Sequence, residues 1–388
     1  MRKFVSLGSL TLLGAALSMS SGARRGVRTG TYDLRDLQNV TNQTVIQFGL
    51  EDVQGAVQAE LAVHNTQVND MVGTLVSAAP SRIVADASGL MLDGEMREVD
   101  EYGRVATQKT GAPDQIGIPM RRYQFGVGFT GDFLSRATPA QVAIATYNAE
   151  SADRRKTIQL VRNTLFNPFN TSFYDFLRDN MELKTKGLYN ADGTTPPLGP
   201  NAETFDGTHN HYMGFTAFNP AALDALILNV AEHTNNAKIE VDLNVAQEAA
   251  VRAFPNFTPA VDPNVIVSVN QQVTVQRLNT GRQNNRMIGI YNGAEIWIKS
   301  WIFPNYGLAV DTNAPVKPIA RREPVGEDSI IGQPGLRMVG TIVTFPLQSE
   351  YWGREAGYGV RNRGAAAVAQ FNSGTPGVYA DPTNGGLA

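Results

Sequence analysis

The sequence predicts an α+β chain of at least two domains. Stretches at 44–76 and 139–166 repeat apolar residues every three or four positions, short helical and strand patterns alternate between 221 and 269, and residues 286–371 form β-rich runs separated by Gly and Pro. With 388 residues the chain exceeds the usual domain size of about 100 to 200 residues. Its 42% hydrophobic and 18% charged content is ordinary for a folded chain, and a net charge of −3 carries no signature of a polyanion binder. Cysteine is absent, which excludes disulfides, thiolate metal sites and cysteine nucleophiles and leaves stability to packing and assembly. That absence leaves the compartment open.

The first residues carry two readings. Arg2 and Lys3, an apolar run at 4–19 and small residues at 20–23 match a secretory leader. The run is diluted by Ser6, Gly8, Ser9, Thr11 and Gly14, which favours an apolar arm packed on a neighbouring subunit. It is also too short and broken for a membrane span, which needs about 20 apolar residues, so no membrane is expected as a partner. Residues 20–30 lack a regular pattern. Their Arg24 and Arg25 suit a phosphate backbone or an acidic neighbour, against the simpler role of a solvated linker.

Val45, Phe48, Val53, Val57, Leu61, Val68, Met71, Val72 and Leu75 mark one face of a helix over 44–76, interrupted near Gly49 or Gly55. His64 inside it is expected at the surface or an interface, since no second ligand lies at i+4. Pro80 ends the helix. Residues 83–130 then alternate β-like pieces at 96–99, 104–107 and 123–129 with polar, glycine-rich stretches, which reads as a long two-stranded excursion. Such a hairpin is marginal alone and must lie against something else.

Thr138-Pro139 is a strong helix start, and Asn167-Pro168 stops the helix near Phe166. At 1.5 Å per residue it would span about 40 Å. Ile144, Tyr147, Ile158, Val161 and Leu165 are its expected buried stripe, with Asp153, Arg154, Arg155 and Lys156 facing outwards. Residues 169–214 read as loop, with turn signals at 190–193, 196–197, 199–200 and 206–207. Asn219-Pro220 opens a helix over 221–233; a strand at 239–243, a helix at 245–254 and a strand at 265–269 follow.

Within the loop, His209 and His211 form the metal-like element of the sequence, because two imidazoles on one strand face can share a cation. Asp206 or Glu203 would supply a third ligand. A His-x-His pair alone is unspecific and often only hydrogen-bonds a loop, so no metal or cofactor is expected.

In the last quarter, 287–290 leads through the turn-forming Asn292-Gly293 into 295–303, which Pro304-Asn305-Tyr306-Gly307 stops. Strands at 308–310 and 336–345, the segment Tyr358-Gly359-Val360-Arg361-Asn362-Arg363 and an apolar run at 365–371 follow. These segments offer no plausible catalytic group, and the chain has no P-loop, dinucleotide fingerprint, Gly-x-Ser-x-Gly elbow or His-Glu-x-x-His helix. Glu98 and Asp100 sit in a polar loop and read as solvated surface.

This order resembles tailed-bacteriophage major capsid proteins, whose shared architecture is the Hong Kong ninety-seven capsid fold. There an aromatic-flanked "G-x-G-V-x-R" segment leads into a small apolar last strand, the place that residues 358–363 occupy here. The resemblance covers most of 45–371. It implies an extended N-terminal arm (1–44), an N-terminal helical segment (45–82), an extended E-loop hairpin (83–122), a peripheral domain (123–214 and 286–371) holding a long spine helix (139–166), an α/β axial domain (215–285) and a C-terminal tail (372–388).

It further implies a structural, non-enzymatic protein of the virion, assembled in the host cytoplasm as hexamers and pentamers of an icosahedral shell around double-stranded DNA. Partners would be identical copies, a portal, scaffolding or decoration proteins, and DNA held non-specifically; near-neutral charge suits a wall that must not adhere strongly. Candidate inter-subunit contacts are Arg24, Arg25, Arg97, Arg104, Lys109, Arg121, Arg122, Arg154 and Arg155. Lys109 also occupies the loop from which some relatives cross-link to an asparagine, though no matching partner motif is visible. Two other readings stay open: an encapsulin-like nanocompartment shell enclosing enzymes, and a secreted metal-dependent hydrolase using His209 and His211.

Overall fold

The structure, a computed structural model, describes residues 33–88, 96, 98–99, 101–103, 113–130, 136–176, 178–260, 266–267, 273–274, 285–325, 332–344 and 347–383. Helices are α1 (Leu34–Gln38), α2 (Val45–Phe48), α3 (Leu50–Val72), α4 (Pro139–Phe166), α5 (Pro220–Ala231) and α6 (Glu248–Arg252). Strands in the first half are β1 (Val76–Ala78), β2 (Ile83–Ala85), β3 (Gln115–Gly117), β4 (Arg121–Thr130), β5 (Thr171–Asp175), β6 (Met181–Thr185) and β7 (Tyr212–Gly214). Then come β8 (Ile239–Leu243), β9 (Phe257–Pro259), β10 (Ile266–Val267), β11 (Val273–Thr274), β12 (Asn285–Tyr291) and β13 (Ala294–Lys299). The last are β14 (Tyr306–Asp311), β15 (Ile319–Arg322), β16 (Arg337–Thr344), β17 (Leu347–Val360) and β18 (Ala366–Gln370).

The described residues fall into two compact units. One is drawn from 1–67, 122–154 and 335–354, the other from 68–121, 155–334 and 355–388.

In the first unit α1 and α2 each open on a capping box, Asp33 with Asp36 and Thr44 with Gln47, which satisfies backbone donors that short helices cannot pair internally. The break expected near Gly49 or Gly55 lies at Gly49, whose φ of 125° suits a residue without Cβ. Leu34, Leu37, Phe48, Val53, Val57 and Leu61 pack with Ala143, Ala149 and Trp352. β16 and β17 pair antiparallel, with an irregularity between Met338 and Gly340, and β4 also pairs β17.

The inward face of α4 in this unit is Ala143, Thr146, Ala149, Glu150 and Asp153, at helical spacing. This corrects the expected stripe, since Ile144 is 54% exposed. It corrects Asp153 as well, which points inwards because Arg354 and His64 meet it there. Arg354 donates to both Asp153 oxygens at 2.7 and 3.0 Å, and Arg354 and Leu336 N both donate to Asn65 Oδ1. His64, expected at the surface or an interface, is 1% exposed and lies 2.9 Å from Asp153 through Nε2.

Beside this cluster the buried Glu150 carboxyl is pushed up to about 7, chiefly by burial; His64 opposes the shift and Glu60 adds to it. Its folded value lies above the ordinary 4.5, so its favourable contribution is complete below pH 4.5 and is lost as pH rises through about 7. Stability should therefore fall by about 1–2 kcal/mol from this group between pH 5 and 8, after allowance for screening by water. Glu150→Gln should flatten that part of the profile. Urea titrations of both proteins at the two pH values check it; identical pH dependence would contradict it.

The second unit holds a seven-stranded sheet in the order β7-β18-β14-β8-β13-β12-β9, with β7/β18 and β8/β13 parallel and the other pairs antiparallel. It draws strands from both sides of residue 285, because β8 lies between β13 and β14. Ile239, Val241 and Leu243 of β8 and Ala294, Ile296 and Ile298 of β13 share a core with Leu223, Leu226 and Val230 of α5. Asn219 caps α5 through a bond from Ala222 N, with Pro220 at its first position. The expected hairpin is present: Asn292 and Gly293 both have positive φ, 45° and 86°, as a two-residue primed turn requires.

Also in this unit, β1, β15 and the second half of β17 pair side by side, and β2 pairs β3. Gly357 on β17 is obligatory, since a Cβ there would stand 2.4 Å from Pro119 O. β5 and β6 form a hairpin inside the stretch expected to be loop. The turn signals there were real, but Thr171–Asp175 and Met181–Thr185 alternate exposed and covered residues between them. The helix expected over 245–254 is a 3-10 turn (Val245–Gln247) followed by α6. The one expected over 44–76 ends at Val72, and Val76 begins β1. The strand expected at 104–107 lies outside the described residues, and Met96, Glu98 and Val99 of the one expected at 96–99 form no strand.

Candidate functional site

The chain has four histidines, and three of them converge in the second unit. His209 and His211 lie on the segment entering β7. His233 follows the end of α5, where Glu232 is the C-cap residue. The three Nε2 atoms form a triangle with edges of 3.0 Å (His209 to His211), 3.1 Å (His209 to His233) and 2.9 Å (His211 to His233). Glu232 Oε1 lies 3.5 Å from His209 Nε2. All four donor atoms are within 4.8 Å of one another.

The expected third ligands are not those that meet the pair. Asp206 instead accepts from Thr208 N and Oγ1 at 2.8 and 2.6 Å, and Glu203 accepts from Asn201 N and Nδ2. Their short sequence distance from His209 made them candidates, yet each is spent on its own turn. His233 and Glu232 escaped sequence reasoning because His233 lies 22 positions after His211, beyond a strand, turns and a helix. The available signal was a histidine placed at the end of a well-capped helix.

Aromatic rings wall the cluster. Tyr189 stacks on His233 at 5.8 Å and meets the edges of His209 and His211, and Phe205 lies 4.8 and 4.7 Å from His209 and His233. Tyr189 OH donates to Ser88 Oγ, which donates to Asp86. Burial lowers His211 well below the usual imidazole range, with His233 adding to it; burial, then His209, lowers His233 to about 4; and burial lowers His209. The imidazoles are thus neutral near pH 7.

Arg363 anchors this neighbourhood. It is wholly buried, and it donates to Gly187 O (3.0 Å), Leu188 O (3.1 Å), Asn190 Oδ1 (3.1 Å) and Asp192 Oδ2 (2.9 Å). Its guanidinium also lies 4.8 Å from the Tyr189 ring centroid. Elsewhere on the sheet Lys299 contacts Glu240, and Asp242 at 2.9 Å, all three buried. Burial raises Asp242 against the pull of Lys299. The Ile-Glu-Val-Asp-Leu alternation of β8 therefore has a buried charged face where a solvated one would be the simpler expectation.

Of the arginines and lysine singled out as inter-subunit contacts, Arg24, Arg25, Arg97, Arg104 and Lys109 lie outside the described residues. Arg122, Arg154 and Arg155 are exposed, and Arg121 is half-buried with its guanidinium 5.4 Å from the Phe173 ring. Among the described residues no helix is long and apolar enough to cross a membrane.

No protein-family model matches the chain, and comparison with curated proteins gives no match. Among solved structures, a chain of Mycobacterium phage Patience matches at 24% identity with a TM-score of 0.60, over 95% of this chain and 99% of that one. The capsid of an empty GTA particle matches at 13% identity and a TM-score of 0.43, over 95% and 100%. A holo encapsulin complex from Synechococcus elongatus matches at 13% and 0.40, over 80% and 90%. At such scores the last two carry no argument. The first is a correspondence of fold along nearly the whole of both chains, and the α+β architecture is of the Hong Kong ninety-seven capsid type.

Proposed function

We propose that this chain is the major capsid protein of a tailed double-stranded DNA bacteriophage, a structural subunit that closes into an icosahedral shell. The observation that carries the reading is the shared fold with a phage chain over 95% of this one. Exposed apolar side chains support it. Phe169, Tyr174 and Phe176, at and just before the β5–β6 hairpin, are 57, 43 and 78% exposed, the kind of surface that a neighbouring copy covers.

In this reading the arm ends before Asp33 rather than at residue 44, since Leu34 and Leu37 are buried in the chain's own core, and 83–122 is an E-loop reaching over an adjacent subunit, with α4 as the spine helix. The axial domain is expected over 215–285, but its strands β8 and β9 share one sheet with β7, β12, β13, β14 and β18, so its boundary moves into the segments expected to be peripheral. Hexamers and pentamers bring many weak contacts together, and closed symmetry makes them collective. Arg24, Arg25, Arg97, Arg104, Lys109, Arg121, Arg122, Arg154 and Arg155 are the charged candidates for those contacts. A portal, scaffolding or decoration proteins and DNA are the remaining partners, and assembly takes place in the host cytoplasm.

The content of the particle tests the reading. Particles built from this chain and purified from the cells that naturally produce them should hold long double-stranded DNA that resists nuclease until the shell is disrupted. Particles filled with a protein cargo and free of DNA would overturn it.

A further inference from the structure

We propose that His209, His211 and His233, completed by Glu232, form a site for one first-row divalent transition metal ion of the zinc class. The site would clamp the 187–211 loop to the end of α5.

The argument begins with hydrogens. His211 Nδ1 lies 2.6 Å from Ala366 O, and a carbonyl only accepts, so this nitrogen carries the proton and a neutral His211 presents a lone pair at Nε2. Each of the other two Nε2 atoms carries at most one hydrogen. If both carry one, they face each other at 3.1 Å as two donors. If either lacks one, its lone pair faces that of His211 at 3.0 or 2.9 Å. No assignment of neutral imidazoles satisfies all three edges. A cation at the centre satisfies all three at once.

The dimensions agree. Metal–nitrogen bonds of about 2.0–2.1 Å in a tetrahedron put neighbouring nitrogens roughly 3.3 Å apart, so the triangle need open by only a few tenths of an ångström. The Ala366 carbonyl supplies the second hydrogen bond that ordinarily orients a ligating histidine. Nitrogen donors with one carboxylate suit zinc, cobalt or nickel over calcium or magnesium. Four ligands from the protein leave no open position, the arrangement of structural rather than catalytic ions. The ion would join the loop bearing His209 and His211 to the α5 end bearing Glu232 and His233, with β18 behind through Ala366.

The test uses the full chain, stripped with a chelator and titrated with Zn²⁺, and with Co²⁺ as a spectroscopic probe. One ion per chain is expected, with the intense visible absorption of four-coordinate Co²⁺ and a rise in melting temperature on adding Zn²⁺. His209→Gln and Glu232→Gln alter partly exposed ligands. His209→Gln should weaken Zn²⁺ binding by at least about 100-fold and abolish the Co²⁺ bands, and Glu232→Gln should weaken binding less. Both variants should keep the melting temperature of the stripped wild type. Failure of the wild type to bind either ion stoichiometrically would overturn the site, as would binding that persists in His209→Gln. Neither readout requires shell assembly, so this inference and the capsid reading fail independently.

Discussion

Replacing Arg363 by Met should lower the stability of the chain by about 3 kcal/mol, the larger part from orphaned acceptors. Arg363 is wholly buried and serves two backbone carbonyls, one amide and one carboxylate, the last shared with Asn170 at 2.7 Å. Burial alone would raise the Asp192 carboxyl, but the charge and hydrogen bonds of Arg363 outweigh it and hold Asp192 below the usual range. A depressed carboxyl stabilises the fold above its unfolded value of 3.8 and loses that contribution as pH falls through the folded one. The variant should lose this acid-side component together with its stability. Arg363→Lys should recover little, because one ammonium cannot span the carbonyls of Gly187 and Leu188 and the carboxylate together. Urea unfolding of the three proteins at pH 7 measures the effect; a loss under about 1 kcal/mol in the Met variant would show that the loop re-satisfies its own acceptors.

The largest expected loss is at Asp153 and Arg354. Removing the guanidinium with Arg354→Met leaves a buried carboxylate facing only His64, and truncating one member of such a pair costs about 3–5 kcal/mol. The double variant Asp153→Leu with Arg354→Met should be more stable than the Arg354→Met single variant, because no uncompensated charge remains and apolar replacements of similar volume fill the space. Equal losses in single and double variants would contradict this account and place the cost in packing rather than in charge.

These two clusters also show where sequence reasoning ends. The bounds of α4 were legible at both ends, because Thr138-Pro139 and Asn167-Pro168 act through local backbone rules. Strand β8 and the Asn292-Gly293 hairpin were legible for the same kind of reason. The inward face of the first half of α4 was not, although Val161 and Leu165 are buried as expected. It is lined by Ala143, Ala149, Glu150 and Asp153 where apolar periodicity chose Ile144, because small residues admit close packing and Asp153 is drawn in by Arg354, 201 positions away. Strand β17 escaped its first ten residues for a related reason: Ser349, Glu350, Arg354 and Glu355 break any apolar alternation, yet Arg354 and Glu355 are buried through charged partners.

The candidate site divides the same way. His209 and His211 stood out by spacing, whereas the contribution of His233 depends on α5 returning to the loop, a fact of tertiary structure. The fold reading rested on the order of many weak elements, so it survived errors in any single one of them.

Electron microscopy of the purified full-length chain tests the central claim most directly. The capsid account predicts closed polyhedral particles of uniform size whose reconstruction places this fold in both hexamers and pentamers. A chain that stays monomeric across a wide range of salt and protein concentration, with the apolar surface of its β5–β6 hairpin uncovered, would contradict it.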